Sequence, residues 1–329
     1  MIRSTLLCLM LAALVGCVGS SSQPPAWSTG TPDEYPAGRY LTAMGEGSSR
    51  ELAEQRAYSA LARVFEVNIK EDSADFTQFQ QDSGAAEGGS PDAINRQLSS
   101  RHLLTDTDQV LEGAYPVEHW QHDGQHMVLV ALERSGAEQR LRQQITQLDQ
   151  QTAVLLGGAD NPRYNPVVQL SALEKARQLQ RQRTPLNRNL SVVSGRQLTP
   201  PTTLAELEQR LRSRLAALQF QLSAEPGLLP LLEHAVGQVG ARVAPGGELH
   251  LSGQLQREPI IDHQGWYWLR GSLQLDLSNG DGNVIAQRRW PIKVSAQEVG
   301  MIEQRLRDRI NRDIAGQLYQ LVTAAEVHK

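Results

Sequence analysis

Residues 39–69, RYLTAMGEGSSRELAEQRAYSALARVFEVNI, decide the fold of the first part of the chain. Tyr40 to Met44 reads as a short strand, broken by Gly45-Glu46-Gly47. Ser48 and Glu51 then fit a capping box, in which the Ser oxygen accepts an amide of the first turn and the Glu reaches back. Leu52, Ala53, Arg56, Ala57, Ala60, Leu61, Val64 and Phe65 follow at helical spacing. Ala53, Ala57 and Ala60 keep one side of that helix thin, so it can lie close against a sheet. Phe65, Val67 and Ile69 alternate with polar residues and start another strand. Strand, thin helix and strand describe a small α+β unit.

Two further strands extend this unit, Gln109 to His122 and Gln125 to Glu133. Asp123-Gly124 between them is a two-residue hairpin signal. That turn sets 122 opposite 125 and 121 opposite 126. His119 and His126 then share a face, and His122 points the other way because strand side chains alternate. At most two of the three histidines can meet, so no metal site is expected. Gly45-Glu46-Gly47 does not make a phosphate cradle either. Arg50 stands where a dinucleotide fingerprint needs its third glycine, and a capped strand-to-helix turn accounts for the glycines.

After residue 135 the pattern becomes helical. Leu141, Ile145, Leu148 and Leu155 fall near one helical face, and so do Val167, Leu170, Leu173 and Leu179 over residues 166–182. Gly157 to Pro162 supplies the turn of a helical hairpin, expected over residues 136–188 as a spacer with a Gln- and Arg-rich surface. The last domain, residues 189–329, opens with a second capping box, Thr203 and Glu206. A strand through Leu218, Phe220 and Leu222 and a helix over 228–239 follow, with Pro230 acceptable in its first turn. Three strands come next, one through Leu249, Leu251 and Leu255. Another runs through Tyr267, Leu269, Leu273, Leu275 and Leu277, and the third through Val284, Trp290, Ile292 and Val294. Pro291 confines that third strand to an edge or a bulge. A helix over 296–322 closes the chain. The fold class is therefore α+β. Two small α+β domains, each a mainly antiparallel sheet packed with helices, are joined by the hairpin.

The amino terminus carries an address. Arg3 precedes an apolar run from Leu6 to Val15, too short for a spanning helix and laid out as a secretory signal. Leu14-Val15-Gly16-Cys17 resembles the lipobox of bacterial lipoproteins. That resemblance implies cleavage after residue 16 and lipidation of Cys17, with palmitate-type acyl chains. Several chains on one cysteine anchor firmly, since each buried methylene adds about 0.8 kcal/mol. Val18, in place of the Asp that would favour inner-membrane retention, implies the outer membrane and a periplasm-facing protein. Residues 17–36, rich in Gly, Ser and Pro, read as a flexible tether. The only other cysteine, Cys8, leaves with the signal, so the mature domain has no thiol chemistry.

Roughly the first 135 residues carry a family resemblance, centred on the α+β domain at 37–135. Pro25-Ala26-Trp27, Tyr35-Pro36, the Tyr40-to-Ser49 strand and turn, and Ala53, Arg56, Ala57, Leu61, Ala62, Val64, Phe65, Val67 and Ile69 are similar to the LPP-twenty lipoproteins. The same domain resembles the amino-terminal part of the flagellar assembly protein T. The last domain resembles the TolB amino-terminal domain in the order of its elements alone. The first resemblance implies an envelope lipoprotein, in some members linked to flagellar or surface structures, and brings no catalytic residue.

Composition narrows the function further. The formal charge of −4 becomes −5 once Arg3 is removed with the signal. Such a chain is a poor candidate for nucleic acid or for electrostatic docking on anionic lipid. No GxSxG, HExxH or P-loop is present, and Asp106 and Asp108 read as solvated loop carboxylates. No catalytic residue, metal or cofactor is expected. Trp266 and Trp268 stand opposite the leucine face of their strand, together with Arg270, and Trp and Arg are common hot-spot residues. They are the candidate partner-binding residues. The expectation is a non-catalytic envelope lipoprotein that binds a protein partner, with a small-ligand carrier or an envelope hydrolase as alternatives.

Overall fold

The computed structural model describes residues 24–30, 32–65 and 111–324. It divides into two units, the first taking residues up to 68 and 108–138, the second 69–107 and 139–329. Cys17, Val18, Asp106 and Asp108, the expected strand beyond Phe65, and Gln109 and Val110 lie outside the described residues; residues 111–113 form a turn, so the strand expected from Gln109 begins at Ala114.

In the first unit, β1 (Tyr40–Gly47), β2 (Ala114–His122) and β3 (Gln125–Glu133) form an antiparallel sheet in the order β1-β3-β2. Helix α1 covers residues 50–65. Asp123 and Gly124 both take positive φ, 48° and 74°. This is the primed turn that matches strand twist, and it pairs 122 with 125 and 121 with 126 as the sequence implies. The helix cap lies one residue later than expected. Ser49, not Ser48, accepts the Leu52 N–H at 3.2 Å. Glu51 sits below its usual carboxylate range because it bonds its own backbone amide and the Ser49 side chain.

Two of the three alanines expected on the thin side of α1 pack fully, while Ala60 is half-buried. Ala53, Ala57 and Leu61 have no exposed surface. A Cβ on Gly45 would stand 2.2 Å from the Ala53 carbonyl oxygen and 2.3 Å from the Ala57 nitrogen. The Gly-Glu-Gly sequence thus serves backbone-to-backbone packing of α1 on β1. Val128 to Leu132 of the central strand are buried on both faces. The carboxyl end of the expected tether is also engaged. Residues Ala26–Ser28 make a 3₁₀ turn, and Tyr35 meets Tyr40 edge to face at 5.4 Å.

The next helix, α2 (Arg134–Ala159), begins in the first unit and continues in the second. Then come α3 (Pro166–Ser194), α4 (Leu204–Ala217), β4 (Gln219–Ala224), α5 (Leu229–Gln238), β5 (Arg242–Val243), β6 (Leu249–Arg257), β7 (Ile261–His263), β8 (Trp266–Asn279), β9 (Val284–Ala296) and α6 (Ile302–Thr323). The second capping box is present, with Thr203 Oγ1 accepting from Glu206 and Glu206 Oε2 from Thr203. Pro230 occupies the first turn of α5.

Helix α3 departs from expectation. It runs past Pro185 to Ser194, where Gly195 in the left-handed region ends it, so the boundary placed at 188 falls inside a helix. A proline inside a helix costs about 3 kcal/mol. Leu186, Leu190 and Val193, all buried beyond it, offset that cost at about 1.5–3 kcal/mol each. Nor is the hairpin a bare spacer, because Ala159, Val167, Leu170 and Leu173 belong to the main core of the second unit.

That core lies between helices and one face of a six-stranded sheet. The strands run β5-β4-β6-β8, with β7 on the same edge of β8 as β6 and β9 on the other edge. β4 is parallel to its neighbours, and the remaining pairs are antiparallel. Phe220, Leu251, Leu273, Leu275 and Leu277 point to the helices with no exposed surface. Pro291 lies on β9, which among the described residues pairs only with β8, as a residue without an N–H requires.

Candidate functional site

Strand alternation gives the second unit's sheet two different faces. Leu269, Leu273, Leu275 and Leu277 of β8 are buried under helices, while Trp266, Trp268, Arg270, Ser272, Gln274 and Asp276 stand on the opposite face. None of these six is buried. Neighbouring strands continue the pattern. Register places Ile261 beside Trp268 and His263 beside Trp266. On β9, Ser295, Lys293, Pro291, Arg289 and Gln287 oppose Trp268, Arg270, Ser272, Gln274 and Asp276. On β6, Gln256, Gln254 and Ser252 do the same from the other side. An antiparallel sheet with one face packed and one face solvated is a common arrangement.

The open face has a polar middle and an aromatic end. In the middle, Gln274 and Gln287 donate to Asp276, and Arg289 donates to Ser272 and Gln256. At the end, Trp266 is 38% exposed and Ile261 is 54% exposed. Trp268 is half-buried, and Lys293 Nζ stands 4.5 Å from the centre of its ring. The hairpin that presents this end turns at Gln264 and Gly265, both at positive φ. Arg305 of α6 donates to the Ser295 carbonyl of β9, which satisfies one acceptor on that edge. The structure therefore brings together the three residues singled out from sequence. It adds two that sequence reasoning missed, Ile261 and Lys293. Both could have been found by carrying strand parity across from Trp268, once the β7–β8 and β8–β9 registers were known.

The space lined by Leu255, Leu269, Gly271, Ile292 and Leu306 holds no room for a water molecule.

The histidines of the first unit meet as alternation requires. His119 Nε2 and His126 Nδ1 lie 3.1 Å apart on one face, while the His122 ring is turned toward Trp120. Among the described residues no group of three His, Cys, Asp or Glu side chains could hold a metal. The His119 ring is held below its ordinary proton affinity by burial, then by the charges of Arg50 and His126, against a weaker pull from Glu54. A histidine whose folded pKa is depressed binds fewer protons than the unfolded chain, so its stability contribution falls as pH drops below about 6.5. The melting temperature of the first unit should therefore decrease from pH 7 to pH 5. His119→Gln should flatten that slope, and a slope unchanged by the substitution would dismiss the pair as its source.

Residues 25–133 match the family model described as LPP20 lipoprotein. No curated protein matches the sequence significantly. Among solved structures, the secreted protein HP1454 from Helicobacter pylori aligns at 15% identity with a TM-score of 0.44, covering 84% of this chain and 97% of that one. A minor lipoprotein from Acinetobacter baumannii aligns at 16% identity with a TM-score of 0.27, covering 32% of this chain and 90% of that one.

Proposed function

We propose, from the LPP20 lipoprotein match over residues 25–133, that this chain is an envelope lipoprotein held by lipid on Cys17 in the outer membrane, facing the periplasm. Its role in this reading is non-catalytic. The second unit presents the open face of its sheet to a protein partner, with Trp266, Trp268 and Arg270 at the contact. The observation that carries the reading is that face itself. Helices cover one side of β8, and the other side keeps two indoles and an arginine at least partly exposed. Trp and Arg at the centre of an interface commonly carry much of its binding energy. A part in flagellar or surface structures is compatible with the same arrangement, and the captured partner's identity decides it.

Two experiments test this. A photo-cross-linker at position 266 should capture a discrete envelope protein in cells, and Trp266→Ala with Trp268→Ala should weaken that capture without lowering the melting temperature. Recovery of the same partner in equal yield from the double variant would refute the role of the indoles. Cys17→Ser should abolish lipid labelling and leave an uncleaved precursor. A labelled, processed variant would refute the anchor.

A further inference from the structure

Arg270 of β8 and Lys293 of β9 stand directly opposite each other, and both are exposed. Like charges opposite on neighbouring strands repel. Some arginines of the unit are neutralised by carboxylates, and Arg289 beside this pair is held by Ser272 and Gln256. Arg177, Arg181, Arg183, Arg210, Arg257 and Arg309 each have a carboxylate partner. Arg270 and Lys293 make no ion pair among the described residues, and the ammonium of Lys293 sits over Trp268 instead. Glu258, whose amide donates to the Arg270 carbonyl, pairs with neither. A local conflict of this kind in an otherwise consistent fold is expected at functional positions. An anion lying between the two cations would remove it.

The surroundings indicate what carries that anion. Ile261 and Trp266 offer exposed apolar surface on the same face. Ser272, Gln274 and Ser295 are half-buried beside the cations, and their hydroxyls and amide match peptide groups. We infer that this end of the open face binds an acidic protein segment. A Glu or Asp carboxylate of the partner bridges Arg270 and Lys293, and a neighbouring apolar side chain packs on Trp266 and Ile261. The inference rests on the partner-surface reading above. An anionic bilayer is the weaker fit. The chain's formal charge of −4 repels an extended negative surface, whereas one carboxylate responds to charges within a Debye length of about 8 Å.

The test uses the full-length purified lipoprotein, three probes and a charge-reversed control peptide. One is a fluorescent peptide alternating Glu with Leu and Phe. The second is its twin with Gln in place of every Glu, and the third is phosphatidylglycerol vesicles. The acidic peptide should bind at least about tenfold more tightly than its twin, with affinity falling as salt rises. Arg270→Gln should remove most of that preference. Arg270→Glu with Lys293→Glu should move it to a peptide carrying Lys in place of Glu. Arg270→Gln should also raise the melting temperature of the free protein by about 1–3 °C, because the repulsion is gone. Equal binding of both peptides, no binding of either, or a preference for vesicles that the charge reversal abolishes would each overturn the inference. If position 266 still captures a protein in that case, the partner surface stands and only the carboxylate bridge falls. If it captures nothing, both fall.

Discussion

Gly45→Ala is expected to lower the stability of the first unit by about 3 kcal/mol or more, the upper range for overpacking. The reason is what the new methyl meets. Its neighbours at 2.2 and 2.3 Å are the Ala53 carbonyl oxygen and the Ala57 nitrogen, which are backbone atoms and cannot swing aside as a side chain would. Helix α1 must lift off β1, and Ala53, Ala57 and Leu61, all fully buried, lose contact together. Gly47→Ala should be milder, since its closest approaches are 2.9 Å to the Ala53 nitrogen and 3.0 Å to the Leu52 side chain. Gly38→Ala, with nothing within 4 Å, should change stability by no more than about 0.5 kcal/mol. Hydrogen exchange of the β1 and β3 amides reads the first unit separately from the second. Protection in Gly45→Ala equal to that in Gly38→Ala would refute the close-packing role.

The same glycines show what could be read from sequence. Ala53, Ala57 and Ala60 announce a helix with a thin side, and Gly45 and Gly47 sit on the preceding strand. The alanine half of the contact was visible, but Gly45 and Gly47 read as a turn that ends the strand, whereas β1 runs through Gly47. The Asp123-Gly124 hairpin was legible near its turn, because a two-residue turn fixes the pairs from 122 with 125 to 118 with 129 and therefore the meeting of His119 with His126; the register shift between Pro116 and Glu118 was not. The parity of β8 was equally direct and placed Trp266, Trp268 and Arg270 on the open face. Lys293 was not legible, because its position beside Arg270 depends on a long-range pairing. Helix α3 shows a different limit. Its buried stripe passes from Val167, Leu170 and Leu173 through Arg177, Gln180 and Arg183 to Leu186, Leu190 and Val193. The spacing never lapses, but the chemistry changes from apolar to polar and back. Periodicity judged by hydrophobicity stops where the charges begin, and those residues were assigned to the surface. A Glu and an Arg three residues apart, lying on the stripe rather than beside it, was the signal available.

That polar section makes the second large prediction. Glu174 and Arg177 are buried, at 5% and 3% exposure. The guanidinium grips both carboxylate oxygens of Glu174, at 2.9 and 2.7 Å, and the Tyr319 hydroxyl of α6 donates to Oε2 at 2.7 Å. Gln178 adds a fourth donor. Burial, and then the nearby Glu174 charge, push the Tyr319 pKa well above its ordinary value, so the phenol keeps the proton it donates. Glu174→Ala removes the acceptor that these groups share and leaves the buried Arg177 charge without that carboxylate. The expected loss is about 3–5 kcal/mol, which lowers the melting temperature by roughly 10 °C for a unit of this size. Replacing the whole set, with Glu174→Leu, Arg177→Met and Tyr319→Phe together, should return most of that stability or exceed it. Apolar groups of similar volume avoid the desolvation that a buried ion pair must offset. Urea unfolding of the two variants measures the contrast. A single variant within about 1 kcal/mol of wild type, or a triple variant no better than the single, would show that the network is not what joins α3 to α6. If the contrast holds, charge pairing specifies which face α3 turns toward the core, and the leucines at either end of the stripe supply the bulk of the burial.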